Sequence, residues 1–283
     1  MIPGILRGSR PVVPVLRLTG TIGVVTPLRP GLTLSGTASA IQRAFSMKGA
    51  QAVALQINSP GGSPVQSMLI YKRIRALAEE RGLPVYVFAE DVAASGGYLI
   101  ALAGDEIYAD TTSIIGSIGV VSASFGFVEL MKRIGVERRV HTAGDSKVML
   151  DPFRPEKAED VARLKELQGD VHEAFIALVR ERRGRRLKKA DEELFTGAFW
   201  SGKKALELGL IDGLGDIRTK MREMLGEKVV LKTVTRDRGW FRRLRAPWIG
   251  EEAMHRHGLF GPALADDLIS AIEARAIWSR YGF

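Results

Sequence analysis

A serine followed by two glycines, Ser95-Gly96-Gly97, lies between the apolar run Val85-Tyr86-Val87-Phe88-Ala89 and the helix-compatible stretch Leu99 to Ala103. The first run, rich in valine and aromatics, predicts a buried strand. A serine at a strand-to-helix turn, beside unpaired amides, is where a nucleophile is placed. The same serine also reads as a helix N-cap, with glycines that only allow close packing. A second glycine-bearing loop, Asn58-Ser59-Pro60-Gly61-Gly62-Ser63, follows the buried-strand run Ala52 to Ile57, and Pro64 then opens a helix that stops at Gly82. Strand, helix, strand predicts a right-handed parallel crossover, so both loops leave the carboxyl edge of one sheet, where open α/β sheets build their sites. Gly61 and Gly96 are therefore candidate oxyanion-hole donors for acyl transfer, each worth roughly 3 kcal/mol of transition-state stabilisation.

Such a serine needs a base. The chain has no cysteine, and its four histidines, His141, His172, His255 and His257, form no metal-ligand spacing. A lysine amine, partly buried, loses its proton near neutral pH. Lys147, in Gly144-Asp145-Ser146-Lys147-Val148-Met149-Leu150, has apolar residues on one side, but spacing alone does not choose it over Lys132.

The elements that must position these residues follow from the pattern. Val12 to Leu18, interrupted by Pro14, predicts an edge strand, with Ile22 to Val25 completing a hairpin-like entry. Short strands are expected at Glu106 to Ala109, within Ser113 to Val121, at Val136 to His141 and at Val229 to Val234. Helices are expected over Thr37 to Met47, Val128 to Ile134, Glu156 to Arg183, Lys203 to Leu208 and Ile217 to Leu225. The composition, 283 residues with 46% hydrophobic and 26% charged, suits a globular α/β chain able to bury a sizeable core. The net charge of +9 is concentrated in Arg180 to Lys189 and Arg236 to Arg245, runs that most often form solvated faces. No nucleic-acid module signature accompanies them, so no nucleic-acid partner is expected. No stretch is long and apolar enough to span a bilayer, which predicts a cytoplasmic protein or one peripheral to the inner membrane.

Several motifs, in order, resemble the signal peptide peptidase A family of serine–lysine proteases, whose fold is shared by ClpP-type proteases and crotonases. They are Asn58-Ser59-Pro60-Gly61-Gly62, Ala94-Ser95-Gly96-Gly97-Tyr98, Gly116-Ser117-Ile118-Gly119-Val120, Gly144-Asp145-Ser146-Lys147 with Asp151-Pro152-Phe153-Arg154, and Trp200-Ser201-Gly202 with Gly209 to Gly215. The resemblance spans roughly Val12 to Val234 and implies an α/β, ClpP/crotonase-like fold: a mostly parallel sheet of repeated strand-helix units with flanking helices. The composition changes at Arg236, which sets a protease domain over 1–235 apart from a basic, aromatic tail over 236–283, where Leu264, Leu268, Ile269 and Ile272 mark an amphipathic helix. The resemblance also implies that Ser95 is the nucleophile, Lys147 the general base and Ser117 the residue orienting the lysine amine, with Gly61 and Gly96 as oxyanion donors. Asn58 and Tyr98 are expected to be structural. The implied activity is hydrolysis of extended apolar peptides, such as cleaved signal peptides, with no cofactor or metal. Short family members assemble into rings in which one site takes its serine and lysine from neighbouring copies, so a homo-oligomer is implied. Two departures stand out: Ser146 replaces an aromatic or histidine residue common before the lysine, and the membrane anchor common in the family is not seen.

Two other readings compete. A crotonase-type acyl-CoA enzyme would use the same oxyanion geometry with an acidic pair, for which Glu90-Asp91 is the candidate. A catalytically silent scaffold would instead contact anionic membranes through the cations and aromatics of Arg236 to Trp248, a stretch that otherwise forms a solvated surface.

Overall fold

The computed structural model describes residues 10–23, 31–144, 146–235, 272 and 275–283. Its strands are β1 (Val12–Thr19), β2 (Val53–Ser59), β3 (Val85–Ala94), β4 (Glu106–Ala109), β5 (Ile114–Gly116), β6 (Phe199–Ser201), β7 (Gly213–Leu214) and β8 (Val230–Val234). The helices are α1 (Leu34–Phe45), α2 (Pro64–Arg81), α3 (Gly96–Ala101), α4 (Val128–Ile134), α5 (Ala158–Arg183), α6 (Asp191–Leu194), α7 (Gly202–Leu208) and α8 (Ile217–Leu225). Among the described residues the strands form one sheet in the order β6-β5-β3-β2-β1-β8, with β4 beside β3 and β7 beside β4. Every pairing is parallel except β5 with β6. This is the mostly parallel α/β architecture expected from the strand-helix repeats.

Period-two alternation divides the side chains between two layers. Leu16, Leu18, Val53, Leu55, Ile57, Val85 and Val87 join the core beneath α1, α2 and α3, while Val13, Val15, Ala52, Ala54 and Phe88 pack against Met221 of α8. With both faces covered, the central strands carry near-continuous apolar runs. Helix α2 has the ends its sequence prescribes. Ser63 accepts from the Gln66 amide, Pro64 takes the first turn, and Gly82 closes it in the left-handed conformation.

Four expectations need correction. β1 is not an edge strand, because it pairs with both β2 and β8. Pro14 is tolerated because pairing with β2 begins only at Val15, so at Pro14 the register is occupied on the β8 side alone. Ile22 makes parallel bridges to Leu32 and Gly62 instead of a hairpin, and Val24 and Val25 lie outside the described residues. Val136 to His141 is not a strand; these residues are largely exposed and have no sheet to join. In the run Arg180 to Lys189, two arginines turn inward. Arg182 donates to the Leu102 and Gly104 carbonyls, and Arg183, 3% exposed, pairs with Asp212 and donates to the Gly209 carbonyl. The second basic run and the helix expected at Leu264 to Ile269 lie outside the described residues.

Candidate active site

β3 is longer than its apolar run and delivers Ser95 directly. Its first half pairs with β4 and its second half with β5, Ala94 lying opposite Gly116. Ser95 then leaves the sheet at φ 52° and ψ −123°, a conformation costly for a residue with a side chain. Its amide donates to the Gly116 carbonyl at 2.8 Å and its carbonyl accepts from the Leu99 amide at 2.9 Å, so the turn is held from both sides. The hydroxyl makes no capping bond to α3, and the residue is only half-buried. The hydroxyl therefore does not act as the helix cap, and Ser95 stands partly exposed at the carboxyl edge of the sheet.

The Asn58–Ser63 loop presses its backbone onto this turn. A Cβ added to Gly61, whose φ is 99°, would lie 2.8 Å from both the Ser95 Cβ and the Gly96 nitrogen, so only glycine fits. A Cβ on Gly97 would lie 2.4 Å from the Ser59 carbonyl oxygen, a contact equally closed to larger residues. The Gly61 amide does not face outward. It donates to Ser59 Oγ at 3.3 Å, and the Ser59 side chain is fully buried. The neighbouring Gly62 amide makes no hydrogen bond to a described residue, nor does the Gly96 amide. The two lie close together, since a Cβ built on Gly96 would come 3.4 Å from the Gly62 nitrogen. The structure thus brings the two predicted loops together but turns the Gly61 N–H inward. The direction of an amide is not written in residue types, and two adjacent glycines gave no reason to prefer Gly62.

Ser117 follows β5 as Ser95 follows β3. It too has positive φ, 53°, and its amide donates to the Ala198 carbonyl at 2.7 Å. Its hydroxyl is buried and contacts the Tyr281 hydroxyl at 3.2 Å. Tyr281 was not singled out in the sequence, where it lies 164 residues from Ser117 with nothing nearby to tie it to the site.

Lys147 stands apart. It is exposed, and no hydrogen bond joins it to Ser95 or Ser117 within this chain. Its loop is anchored by Asp151, whose carboxylate side chain is 3% exposed. Burial pushes the Asp151 carboxyl up, but the Phe153 amide and Arg138 outweigh it and hold the group below the ordinary carboxylate range. A cavity of about 620 Å³ lies between this loop and the start of α5, lined by Ser146, Met149, Leu150, Asp151 and Arg163 and by no residue of the nucleophile turn.

The acidic pair Glu90-Asp91 is engaged structurally. Glu90 accepts from Arg17 and Gln56, and Asp91 accepts from Asn58 Nδ2 at 2.6 Å. Asn58 also accepts from the Val92 amide, tying β2 to β3 just before the two loops. Tyr98 is fully buried and donates to the Leu210 carbonyl at 2.7 Å; burial pushes its phenol well above the ordinary tyrosine value, so the proton that makes this bond is retained. His172 contacts the Ile118 carbonyl at 3.1 Å. Among the described residues no group of three or more His, Cys, Asp or Glu is placed to hold a metal ion.

Comparison with known proteins decides the family. The model of peptidase family S49 matches residues 78–231, more than half of the chain and including both Ser95 and Lys147. The chain belongs to peptidase family S49. A protein of Synechocystis named as a protease is 32% identical over 223 residues, covering 76% of this chain and 79% of that protein. The chloroplastic serine protease SPPA of Arabidopsis thaliana is 32% identical over 246 residues, 82% of this chain and 36% of the plant protein. A Brucella abortus protein named Na(+)/H(+) antiporter NhaA is 55% identical over 288 residues, the whole of this chain but 38% of its own length. Among the described residues no helix is long and apolar enough to cross a membrane.

Proposed function

We propose that this chain is a serine endopeptidase that cleaves extended apolar peptides, such as released signal peptides, with Ser95 as nucleophile and Lys147 of a second copy as general base. The observation that carries this is the Ser95 turn: a half-buried serine whose hydroxyl makes no capping bond, one residue before an amide that bonds to no described residue and against a second glycine loop. The peptide carbonyl lies with its oxygen between the Gly62 and Gly96 amides, and Gly61 supports the hole by closing its backbone onto the turn. Neutral Lys147 takes the Ser95 proton as Oγ attacks the carbonyl carbon. Negative charge develops on the oxygen facing the two amides, which stabilise it more than the planar carbonyl. The amine leaves with the proton from lysine, and water then hydrolyses the acyl-enzyme with the same lysine as base. Ser117 orients the lysine amine.

The second copy is supported by the segment that carries the lysine. Val121, Phe125, Leu130, Ile134 and Val136 are all more than half exposed, and α4 buries none of its residues. Five exposed large apolar side chains within sixteen residues are what a surface covered by a partner would carry. The crotonase reading loses its acidic pair to the Arg17, Gln56 and Asn58 contacts.

The test is labelling with a fluorophosphonate followed by mapping of the modified residue. We expect a single adduct at Ser95, lost together with peptide hydrolysis in a folded Ser95→Ala variant. An adduct elsewhere, or hydrolysis that survives Ser95→Ala, would refute the assignment.

A further inference from the structure

Helix α5 meets the body of the molecule only from its middle onward. Phe175, Leu178, Val179 and Arg183 are buried, and no residue of the helix before Phe175 is. His172 stands one turn ahead of Phe175 on the same helical face, half-buried. Its Nε2 lies 3.1 Å from the Ile118 carbonyl, 54 residues earlier in the chain. A carbonyl oxygen only accepts, so Nε2 carries the proton, as it does in one neutral tautomer and in the imidazolium. The chain on the other side of this bond is the one that holds Ser117. Ser117 sits at φ 53°, and such a turn persists only where its surroundings dictate it. Upstream, its amide donates to the Ala198 carbonyl at 2.7 Å. Downstream, Ile118 is fully buried, and among the described residues its carbonyl accepts from His172 alone. Gly119 to Gly126 then make no hydrogen bond among the described residues, and Val121 is already 63% exposed. The His172 bond is therefore the last polar hold on this chain as it leaves the sheet.

We propose that His172 is a positioning residue for the reaction: by holding the Ile118 carbonyl it fixes the Ser117 turn, and through Ser117 it sets the direction of the general-base lysine. The last link rests on the reading above in which Ser117 orients Lys147; the tether does not. Its place in the chain supports the role. The segment between Ile118 and His172 is the one that carries Lys147, so a single bond ties the two ends of that segment together where they meet the body. The donor is itself firmly carried. Phe175 packs into the core one turn behind it, and Arg182 donates to the Leu102 and Gly104 carbonyls near the far end of the helix. A histidine has fewer side-chain torsions to order than glutamine, so it holds the carbonyl at a smaller entropic cost.

The test compares two variants of the full chain: His172→Phe, which keeps a ring but donates nothing, and His172→Gln, whose amide nitrogen restores a donor. In hydrolysis of a leucine- and alanine-rich peptide, His172→Phe is expected to lower kcat about fivefold, the equivalent of one neutral hydrogen bond, with KM close to the parent's. His172→Gln should recover most of that loss and keep the parent's pH–rate profile. Added to Ser117→Ala, His172→Phe should cost nothing further, because a residue acting through Ser117 has nothing left to act on. Amide hydrogen exchange at Ser117 should quicken in the Phe variant and return to the parent's rate in the Gln variant. Arg182→Gln, which loosens α5 away from Ile118, should lower the thermal midpoint without lowering kcat. An unchanged kcat in His172→Phe, an equal loss on top of Ser117→Ala, or an equal fall in kcat in Arg182→Gln would overturn the proposal. So would a pH–rate limb lost in His172→Gln, which would make the imidazole a proton-transfer group. Parental hydrolysis in Ser117→Ala, with Ser117 exchange still quickened by His172→Phe, would instead refute the lysine-orienting reading of Ser117 and leave the tether standing.

Discussion

Ser95 and Ser117 end adjacent parallel strands, and both hold positive φ, 52° and 53°. Each such conformation costs about 1–3 kcal/mol and persists only where its surroundings dictate it. Here the Gly116 and Ala198 carbonyls hold the two turns through their amides. The opposing loop is held by Ser59, whose buried hydroxyl accepts from the Gly61 amide. Ser59→Ala leaves that amide without its partner in a space closed to water. We expect a stability loss of about 1–3 kcal/mol in urea denaturation, with slower fluorophosphonate labelling of Ser95 because Gly62 is no longer fixed beside Gly96. An unchanged midpoint and labelling rate would remove Ser59 from the framework of the site. Much at this scale was legible beforehand: a serine with two glycines after a buried strand signals a constrained turn. The inward rotation of the Gly61 amide and the arrival of Tyr281 were not legible, since one depends on a single backbone dihedral and the other on a contact across most of the chain.

At the scale of elements, β3 explains why the site stands where it does. Its ten residues outrun β4, and β5 takes over its free edge, so Ser95 emerges beside Ser117. The apolar run Val85 to Ala89 announced only the first half of that strand; Glu90 and Asp91 concealed the rest, because their partners are side chains of β1 and β2 (Arg17, Gln56 and Asn58). Helix α5 is fastened in the same concealed manner. Arg183 Nη1 lies 2.7 Å from Asp212 Oδ2, and Asp212 also accepts from the Ile107 amide of β4. A run of like charges gives no sign of which member turns inward; only the packing of α5 against α3 and the Gly209–Asp212 turn selects Arg183. Replacing Arg183 by methionine leaves the largely buried Asp212 carboxylate with only the half-exposed Arg186, at 3.5 Å, as its ion partner, and we expect a loss of about 3 kcal/mol by denaturation. Adding Asp212→Asn removes the stranded charge while its amide oxygen still accepts from Ile107, so the double variant should recover part of that loss. A double variant no more stable than Arg183→Met alone would show that the charge itself is not what matters.

The whole molecule, as a single copy, holds half of the proposed machinery at the sheet edge and the other half on an exposed loop. Ser95, Ser117 and the two glycine amides converge, whereas Lys147 is joined to none of them, and the apolar side chains of α4 and its neighbours face outward on the same segment. A site completed between copies accounts for both facts with one interface, since covering that surface also delivers the lysine. The consequence is a complementation that no intrachain site shows. Ser95→Ala and Lys147→Ala proteins are each expected to be inactive. When the two are co-expressed in equal amounts, a site works if it takes its serine from a Lys147→Ala copy and its lysine from a Ser95→Ala copy. Random assembly produces that pairing in about a quarter of sites, so peptide hydrolysis should return to about a quarter of the parent rate. A mixture as inactive as its components would require serine and lysine to act within one chain, and with that the exposed position of Lys147 would have to be the open state of a loop that folds back on its own sheet.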